Sequence, residues 1–368
     1  MPKKTKKIRV GIIFGGRSAE HEISLISAKS IYQALDKAKY QPFLIGITRQ
    51  GKWVLENKSH IKTLTSIISD KPVFLSADPS KKALLSLNGK KVSRRLNVIF
   101  PVLHGPYGED GCIQGLFELS GIPYVGSGVL GSAVGMDKVV QKDILRSQSI
   151  EVVKYLSFNI FDWNKSSINI LTKINKTLKP PLFIKPANLG SSVGISLVKE
   201  NKFIKPAINK AFEYDTKIIV EQGVIPLIEL ECAVLGNDSP IASGVGEIIP
   251  SDEFYSYHAK YLDNKSKTII PAKITKVMKK RIQNISTKAF KALNLSGMAR
   301  IDFLLGGHKL YLNEVNTLPG FTSISMYPKL WQAENISYSE LIDNLITLAL
   351  DKHDLKQKIK NQYQSSSR

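Results

Sequence analysis

Cysteine is scarce in this chain: Cys112 and Cys232 are the only two. They cannot build a disulfide framework, and neither has a Cys or His neighbour at metal-ligand spacing, so a reduced cytoplasm is the expected setting. Long apolar runs are missing too. Nothing approaches the ~20 residues of a membrane-spanning helix, which removes the membrane as a partner. A secretory leader is excluded on the same ground: after the basic start, only Ile8 to Phe14 precede Gly15-Gly16, and Arg9 interrupts them. That run is a buried strand. Acidic residues are the minority, 31 against 52 Lys and Arg, for a net charge of +21. A nucleic-acid binder is the sharp reading of that excess. However, the lysines are spread along the chain, and no basic run is interleaved with aromatics as a stacking platform requires. The excess therefore reads as solvated surface, with no nucleic acid as partner. A nucleoside triphosphate would suit a positive cleft, but composition does not select it.

What is present is an ordinary globular balance, 43% hydrophobic and 23% charged, over 368 residues. This length predicts two or three domains. Ile8 to Phe14 form a mostly apolar strand buried on both faces. A Gly turn follows, and then Ile23, Ile26, Ile31, Ala34 and Leu35 recur at helical spacing. Further strands are expected at Phe43–Ile47 and Val98–Leu103, with a polar, irregular stretch at 56–95 between them. Strand and helix in alternation argue for an α/β fold with a parallel sheet. The Gly-rich stretch Gly121–Gly128 marks the first boundary, and Asp137 is placed to cap a helix carrying Lys138 in its first turn. Strands are expected at Leu182–Lys185, Ile195–Val198 and Ile218–Glu221, then at Glu229–Leu235. The last helix is expected from about Tyr338 to Leu350. The resulting division is 1–130, 131–225, 226–350 and a polar tail at 351–368.

Two segments carry chemistry. The loop Asn188–Gly194 is neither a P-loop nor a dinucleotide fingerprint, because a strand and not a helix follows it. Loop backbone N–H groups can still fold over phosphates. Lys185 ends the strand before it, and a lysine closing an apolar run is costly unless an anion meets it. The second segment is the pair Met298–Leu304 and Tyr311–Asn316, each alternating polar and apolar, joined around Gly306-Gly307-His308-Lys309. A three-residue loop, Gly307 to Lys309, sets Asp302 opposite Glu314 and Arg300 opposite Asn316 on one face. Opposed carboxylates repel, and they make sense if a hard divalent cation lies between them. Together these features imply Mg-nucleotide chemistry without naming the reaction.

The runs Gly15–Leu25 and His104–Gly111 closely resemble the two signatures of the D-alanine–D-alanine ligases, and Asn313–Thr322 resembles that family's third. The resemblance extends from about Ile8 to Leu350. It implies an ATP-grasp fold (α+β) behind an N-terminal Rossmann-like, doubly wound domain. It also implies ATP-dependent joining of two D-alanines through an acylphosphate, for peptidoglycan precursors, by a cytoplasmic homodimer. On matching positions, Glu20 would receive the first D-alanine's amino group with His104 nearby. Lys138, Lys185 and Lys260 would meet the ATP phosphates. Ser191 and Tyr261 would complete a hydrogen-bonded relay with Glu20. Glu221 through Val224 would form the adenine hinge, and Glu229 would hold the ribose. Asp302, Glu314 and Asn316 would bind two Mg²⁺ ions, for which Mn²⁺ may substitute. Arg300 would stabilise the tetrahedral intermediate, while Gly320, Ser325 and Met326 would hold the second D-alanine. Met326 stands where leucine is more usual, and His258 replaces a more common acid. Rival readings are a D-alanine–D-lactate ligase, against which Tyr261 speaks, another ATP-grasp carboxylate–amine ligase, and a basic nucleic-acid-binding protein.

Overall fold

The structure is a computed structural model that describes residues 6–87, 89–92, 95–190, 192–225, 227–249 and 267–360. The first strand, β1 (Ile8–Gly15), is buried along nearly its whole length. It lies inside a four-stranded sheet, paired in parallel with β2 (Tyr40–Ile47) and β6 (Val98–Val102). β3 (Trp53–Glu56) runs antiparallel to β2 at the edge, so the order is β3-β2-β1-β6. Between β1 and β2 the chain crosses over through α1 (His21–Ala34). The turn into α1 needs glycine at position 15. Its φ is +90°, and a Cβ there would lie 2.2 Å from the Ile47 carbonyl oxygen.

The stretch 56–95 is more ordered than its polar sequence suggests. It holds two short antiparallel strands, β4 (Val73–Leu75) and β5 (Leu84–Ser86). Buried Glu56 accepts the backbone N–H groups of Ile68 and Ser69, both at 2.9 Å. Val73, Leu75 and Leu84 join the core under the parallel sheet. Seven buried apolar side chains, from Ile61 to Leu85, are scattered through a largely polar segment, which averages out as irregular in the sequence.

After α2 (Cys112–Ser120) and α3 (Val129–Met136) comes α4 (Lys138–Ser147). Asp137 caps α4 as expected, accepting the N–H groups of Val139 and Val140. A second sheet follows, ordered β7 (Tyr155–Asn159), β10 (Lys217–Gln222), β8 (Leu182–Pro186) and β9 (Ser196–Val198), and all its pairs are antiparallel. The helices α5 (Ile160–Thr177) and α6 (Ile204–Phe212) supply the apolar residues that cover it.

The third sheet runs β13 (Lys267–Ile269), β12 (Ile241–Ile249), β11 (Ile228–Gly236), β14 (Gly297–Gly306) and β15 (Lys309–Asn316), again all antiparallel. Of the remaining helices, α7 (Lys276–Ala292) packs on this sheet. Both α8 (Met326–Gln332) and α9 (Tyr338–Gln357) join it to the N-terminal sheet through a shared core that includes Phe14, Phe100, Phe321, Tyr327 and Leu345. α9 starts on a Ser337–Glu340 capping box and runs to Gln357, beyond the expected end at Leu350; in the added turns Lys352 Nζ donates to Ser296 Oγ at 2.6 Å and Lys356 pairs with Glu118. Among the described residues, no helix is long and apolar enough to cross a membrane.

The β14–β15 hairpin corrects one expectation. Asp302 does pair with Glu314 and Arg300 with Asn316, but Gly306 pairs with Lys309, so the loop is two residues, Gly307-His308. The register is recovered by a bulge at Asn313. Leu310 and Leu312 point into the core, and without the bulge Glu314 would follow them inward. The extra residue turns Glu314 and Asn316 to the cleft while Val315 takes the buried side.

Candidate active site

Two adjoining cavities lie where the three sheets meet. The larger, of about 240 Å³, is lined by Glu20, His104, Arg300, Asn316, Gly320, Ser325 and Met326 among others. The smaller, of about 100 Å³, is lined by Lys185, Glu221, Val224, Glu229 and Asp302. Lys138, Gly190, Glu231 and Glu314 border both. Every site residue expected from the sequence therefore lines one cavity or the other, apart from Ser191, Lys260 and Tyr261. Those three, with His258 and most of the segment 251–267, lie outside the described residues.

The N-terminal sheet and α1 supply one wall of the larger cavity. Glu20 is buried just before the first turn of α1, where the helix dipole favours a negative charge. His104 follows β6 and is also buried. Burial lowers its pKa against the opposing pull of Glu20, so the imidazole is held neutral near pH 7. Among the described residues its Nε2 has no hydrogen-bond partner. An unpaired polar atom that deeply buried is costly, and a ligand in the larger cavity would relieve it. At the far wall, Ser325 Oγ accepts the Thr322 N–H at 3.0 Å and lies 2.8 Å from Thr322 Oγ1.

The phosphate-binding candidates are set among counter-charges. Lys138 Nζ donates to the Leu189 carbonyl at 2.6 Å, holding the start of the glycine loop. The anion that meets Lys185 is a protein group: its Nζ lies 2.6 Å from Glu221 Oε2. Burial opposes the charge of Lys185, yet Glu221, with Glu314 and Glu229 behind it, offsets the burial and holds the ammonium above its ordinary range. Glu221 is equally committed. Burial alone would raise its pKa, but Lys142 and Lys185 pull the carboxyl down to about 2. Its carboxylate thus serves the lysines, and any hinge contact to a base would fall to the backbone from Gln222 to Val224.

The acids of the third sheet form a row. Glu231, Asp302 and Glu314 occupy paired positions on β11, β14 and β15. Arg300 lies among them. It grips Asp302 with Nε and Nη2, both at 2.7 Å, and its Nε lies 3.0 Å from Glu231 Oε2. Burial works against the guanidinium charge, but Asp302 and Glu231 raise its pKa further. Among the described residues, no group of three or more His, Cys, Asp or Glu gathers closely enough to hold a metal ion by itself. The candidate set is two carboxylates and the Asn316 amide, whose Oδ1 accepts the Leu318 N–H. All are hard oxygen donors, and a carboxylate held by one bidentate arginine keeps lone pairs for a cation. The donor set fits magnesium.

Comparison with known proteins decides the family. Residues 9–127 match the family described as D-ala D-ala ligase N-terminus, and residues 144–347 match D-ala D-ala ligase C-terminus. The chain belongs to the D-alanine–D-alanine ligase family. It is 46% identical to the D-alanine–D-alanine ligase of Natranaerobius thermophilus, over 98% of this chain and all of that one. It is 48% identical to that of Caldicellulosiruptor bescii, over 96% and 98%. Among solved structures, the VanG D-Ala:D-Ser ligase of Enterococcus faecalis superposes with a TM-score of 0.84 at 38% identity, covering 94% of this chain and all of that one. The D-alanine–D-alanine ligase of Coxiella burnetii gives 0.82 at 37%, covering 96% and 97%. The fold is accordingly the ATP-grasp arrangement of these ligases.

Sequence motifs miss two members of this ligase site. Glu231 is one, found only through its strand pairing. Lys142 is the other, fully buried one turn after Lys138 on α4. Its Nζ lies 2.9 Å from Glu221 Oε1 and donates to the Asn313 carbonyl, at the bulge, at 2.6 Å. One ammonium therefore ties α4, the hinge strand and the acid-bearing strand together. Lys142→Met removes that tie and leaves Glu221 with one lysine, so stability to urea falls by about 3 kcal/mol, as for a broken buried pair. Glu221 titrates near 2 when folded and near its ordinary 4.5 when unfolded, so the unfolded chain takes up the proton first. Wild-type stability therefore drops as pH falls across that window, and the variant loses less there. An unchanged urea midpoint would sink this reading of Lys142.

Proposed function

We propose that this chain joins two D-alanines at the expense of ATP, through an acylphosphate, and so supplies D-alanyl-D-alanine for peptidoglycan precursors. The observation that carries this is the pair of adjoining cavities. One carries Lys138 and Lys185 in its lining, beside the backbone from Gln222 to Val224, and suits a nucleotide. The other, with buried Glu20 and an unsatisfied neutral His104, fits a small zwitterion, and Lys138, Gly190 and Glu314 stand at their junction. The first D-alanine's carboxylate attacks the terminal phosphorus of ATP, and ADP leaves. The second D-alanine's amine then attacks the acyl carbon, and phosphate leaves.

Both steps bring anions together, so charge neutralisation supplies much of the rate. Lys138 and Lys185 border the phosphate side and Arg300 the acyl side. Holding two small substrates end to end also removes much of the entropic cost. Asp302, Glu314 and Asn316 would hold Mg²⁺, or Mn²⁺ in its place. Bound there, the ion would neutralise phosphate oxygens. Glu229 would take the ribose. The roles of Ser191, Lys260 and Tyr261 rest on resemblance. The family also implies a cytoplasmic homodimer, which sedimentation of the purified chain checks, with neither nucleic acid nor membrane as a partner.

Mixing the protein with ATP, magnesium and D-alanine tests the reading: phosphate and dipeptide should appear in equal amounts. D-lactate and D-serine as competing acceptors should give little product. No phosphate release, or a preference for D-lactate, would refute it. Lys185→Ala should weaken ATP binding by about tenfold, the equivalent of one charge-assisted hydrogen bond, as read by nucleotide titration. An unchanged affinity would count against the phosphate role of Lys185.

A further inference from the structure

Among the described residues, three lysine or arginine side chains line the larger cavity: Lys138, Arg300 and Lys329. The protein itself engages two of them. Arg300 is gripped by Asp302 and Glu231, and Lys138 Nζ donates to the Leu189 carbonyl. Lys329 is half-buried, and among the described residues its ammonium has neither an ion pair nor a hydrogen bond. It stands on α8, one turn after Ser325 and Met326, which line the same cavity. That helix is firmly seated. Tyr327 Oη donates to the Val234 carbonyl at 3.0 Å, and a Cβ built on Gly246 would lie 2.9 Å from Met326 Sδ and 3.2 Å from Leu330 Cδ2. α8 is therefore pressed against β12, and Lys329 projects from a fixed support.

The charges of two amino acids show which anion is left for it. Glu20 would take the first ammonium. The first carboxylate has to reach the nucleotide, so it belongs at the junction of the cavities, where Lys138, Gly190 and Glu314 stand. The second ammonium gives up a proton before its nitrogen attacks. The second carboxylate remains: the chemistry leaves it unchanged, and taking it out of water is costly unless a cation meets it. Lys329 lines the larger cavity and not the smaller one, where Lys185 and the hinge backbone lie, so a phosphate is not its anion. We propose that Lys329 binds the carboxylate of the second amino acid, next to Ser325, and so selects acceptors that carry a carboxylate. A charge-assisted hydrogen bond from a rigid helix is the strong kind, and it gives direction as well as affinity.

This role rests on the ligase reading, and the assay separates the two. Wild type, Lys329→Met and Lys329→Arg are each given ATP, magnesium and D-alanine, together with D-alaninamide, an acceptor of nearly the same size that has an uncharged amide in place of the carboxylate. In Lys329→Met, KM for the second D-alanine should rise about tenfold, the equivalent of one charge-assisted hydrogen bond. kcat should change little, because the carboxylate is held alike before and during the attack. The preference for D-alanine over D-alaninamide, read from the ratio of the two products, should fall by the same factor, and Lys329→Arg should retain it. Hydroxylamine captures the acylphosphate without any acceptor carboxylate, so Lys329→Met and wild type should form hydroxamate equally well. An unchanged preference in Lys329→Met overturns the proposal, whether or not its rates fall, and so does loss of hydroxamate; dipeptide from the wild type leaves the ligase reading standing in either case. A wild-type protein that makes neither dipeptide nor hydroxamate overturns both.

Discussion

Glu314→Ala should lower dipeptide formation by about 10³-fold or more while leaving the fold in place. Glu314 borders both cavities, as Lys138 and Glu231 do, and it stands opposite Asp302 across the hairpin. Its charge acts on Lys138, Lys142, Lys185 and Arg300 alike. As a magnesium ligand it would contribute several kcal/mol of charge stabilisation, which is the source of that factor. Folding should survive, because Arg300 remains gripped by Asp302 and Glu231. Two measurements check this: dipeptide formation with ATP and D-alanine, and Mn²⁺ titration in the presence of ADP followed by electron paramagnetic resonance. Activity close to wild type, or an unchanged Mn²⁺ affinity, would remove Glu314 from the metal site.

The hairpin shows how far the sequence could be read. Alternation in Met298–Leu304 and Tyr311–Asn316 placed the acids opposite each other, and the family motifs pointed to the same residues. The loop length was misread because strict period-2 pairing was assumed along the whole ladder. A signal was nevertheless present: Asn313 and Glu314 are adjacent polar residues between Leu312 and Val315, and a strand that alternates cannot show both without a bulge. Glu231 was less legible. Glu229 and Glu231 mark a polar face on their strand, but only the order β11-β14 sets Glu231 beside Asp302, and that neighbour lies 71 positions further along the chain. Lys142 was hidden for a related reason. A lysine four residues after Lys138 reads as a solvated helix face until Glu221, on another sheet, is brought against it. Non-local pairing decided these last two cases, whereas the glycine turn after β1, the Asp137 cap and the buried β1 are local and were read correctly.

Arg300→Ala should have the broadest effect of any single change, because this guanidinium serves two purposes. In the chain as it folds, Arg300 joins Asp302 and Glu231 on neighbouring strands. Without it, buried carboxylates face one another, and stability to urea should fall by about 3–5 kcal/mol, the cost of breaking a buried ion pair from one side. In the proposed reaction, Arg300 would border the place where the acyl carbon becomes tetrahedral, and losing a preorganised donor at such a point costs about 10²–10³-fold in rate. Arg300→Lys separates the two purposes. A lysine keeps the positive charge but not the planar fork that meets both oxygens of Asp302. The lysine variant should therefore recover most of the stability and still lose roughly 10²-fold in dipeptide formation, because the second purpose needs the fork's fixed direction. If lysine restores activity along with stability, the arginine acts as a bulk counter-charge, and the assignment of a directed contact to the tetrahedral intermediate fails.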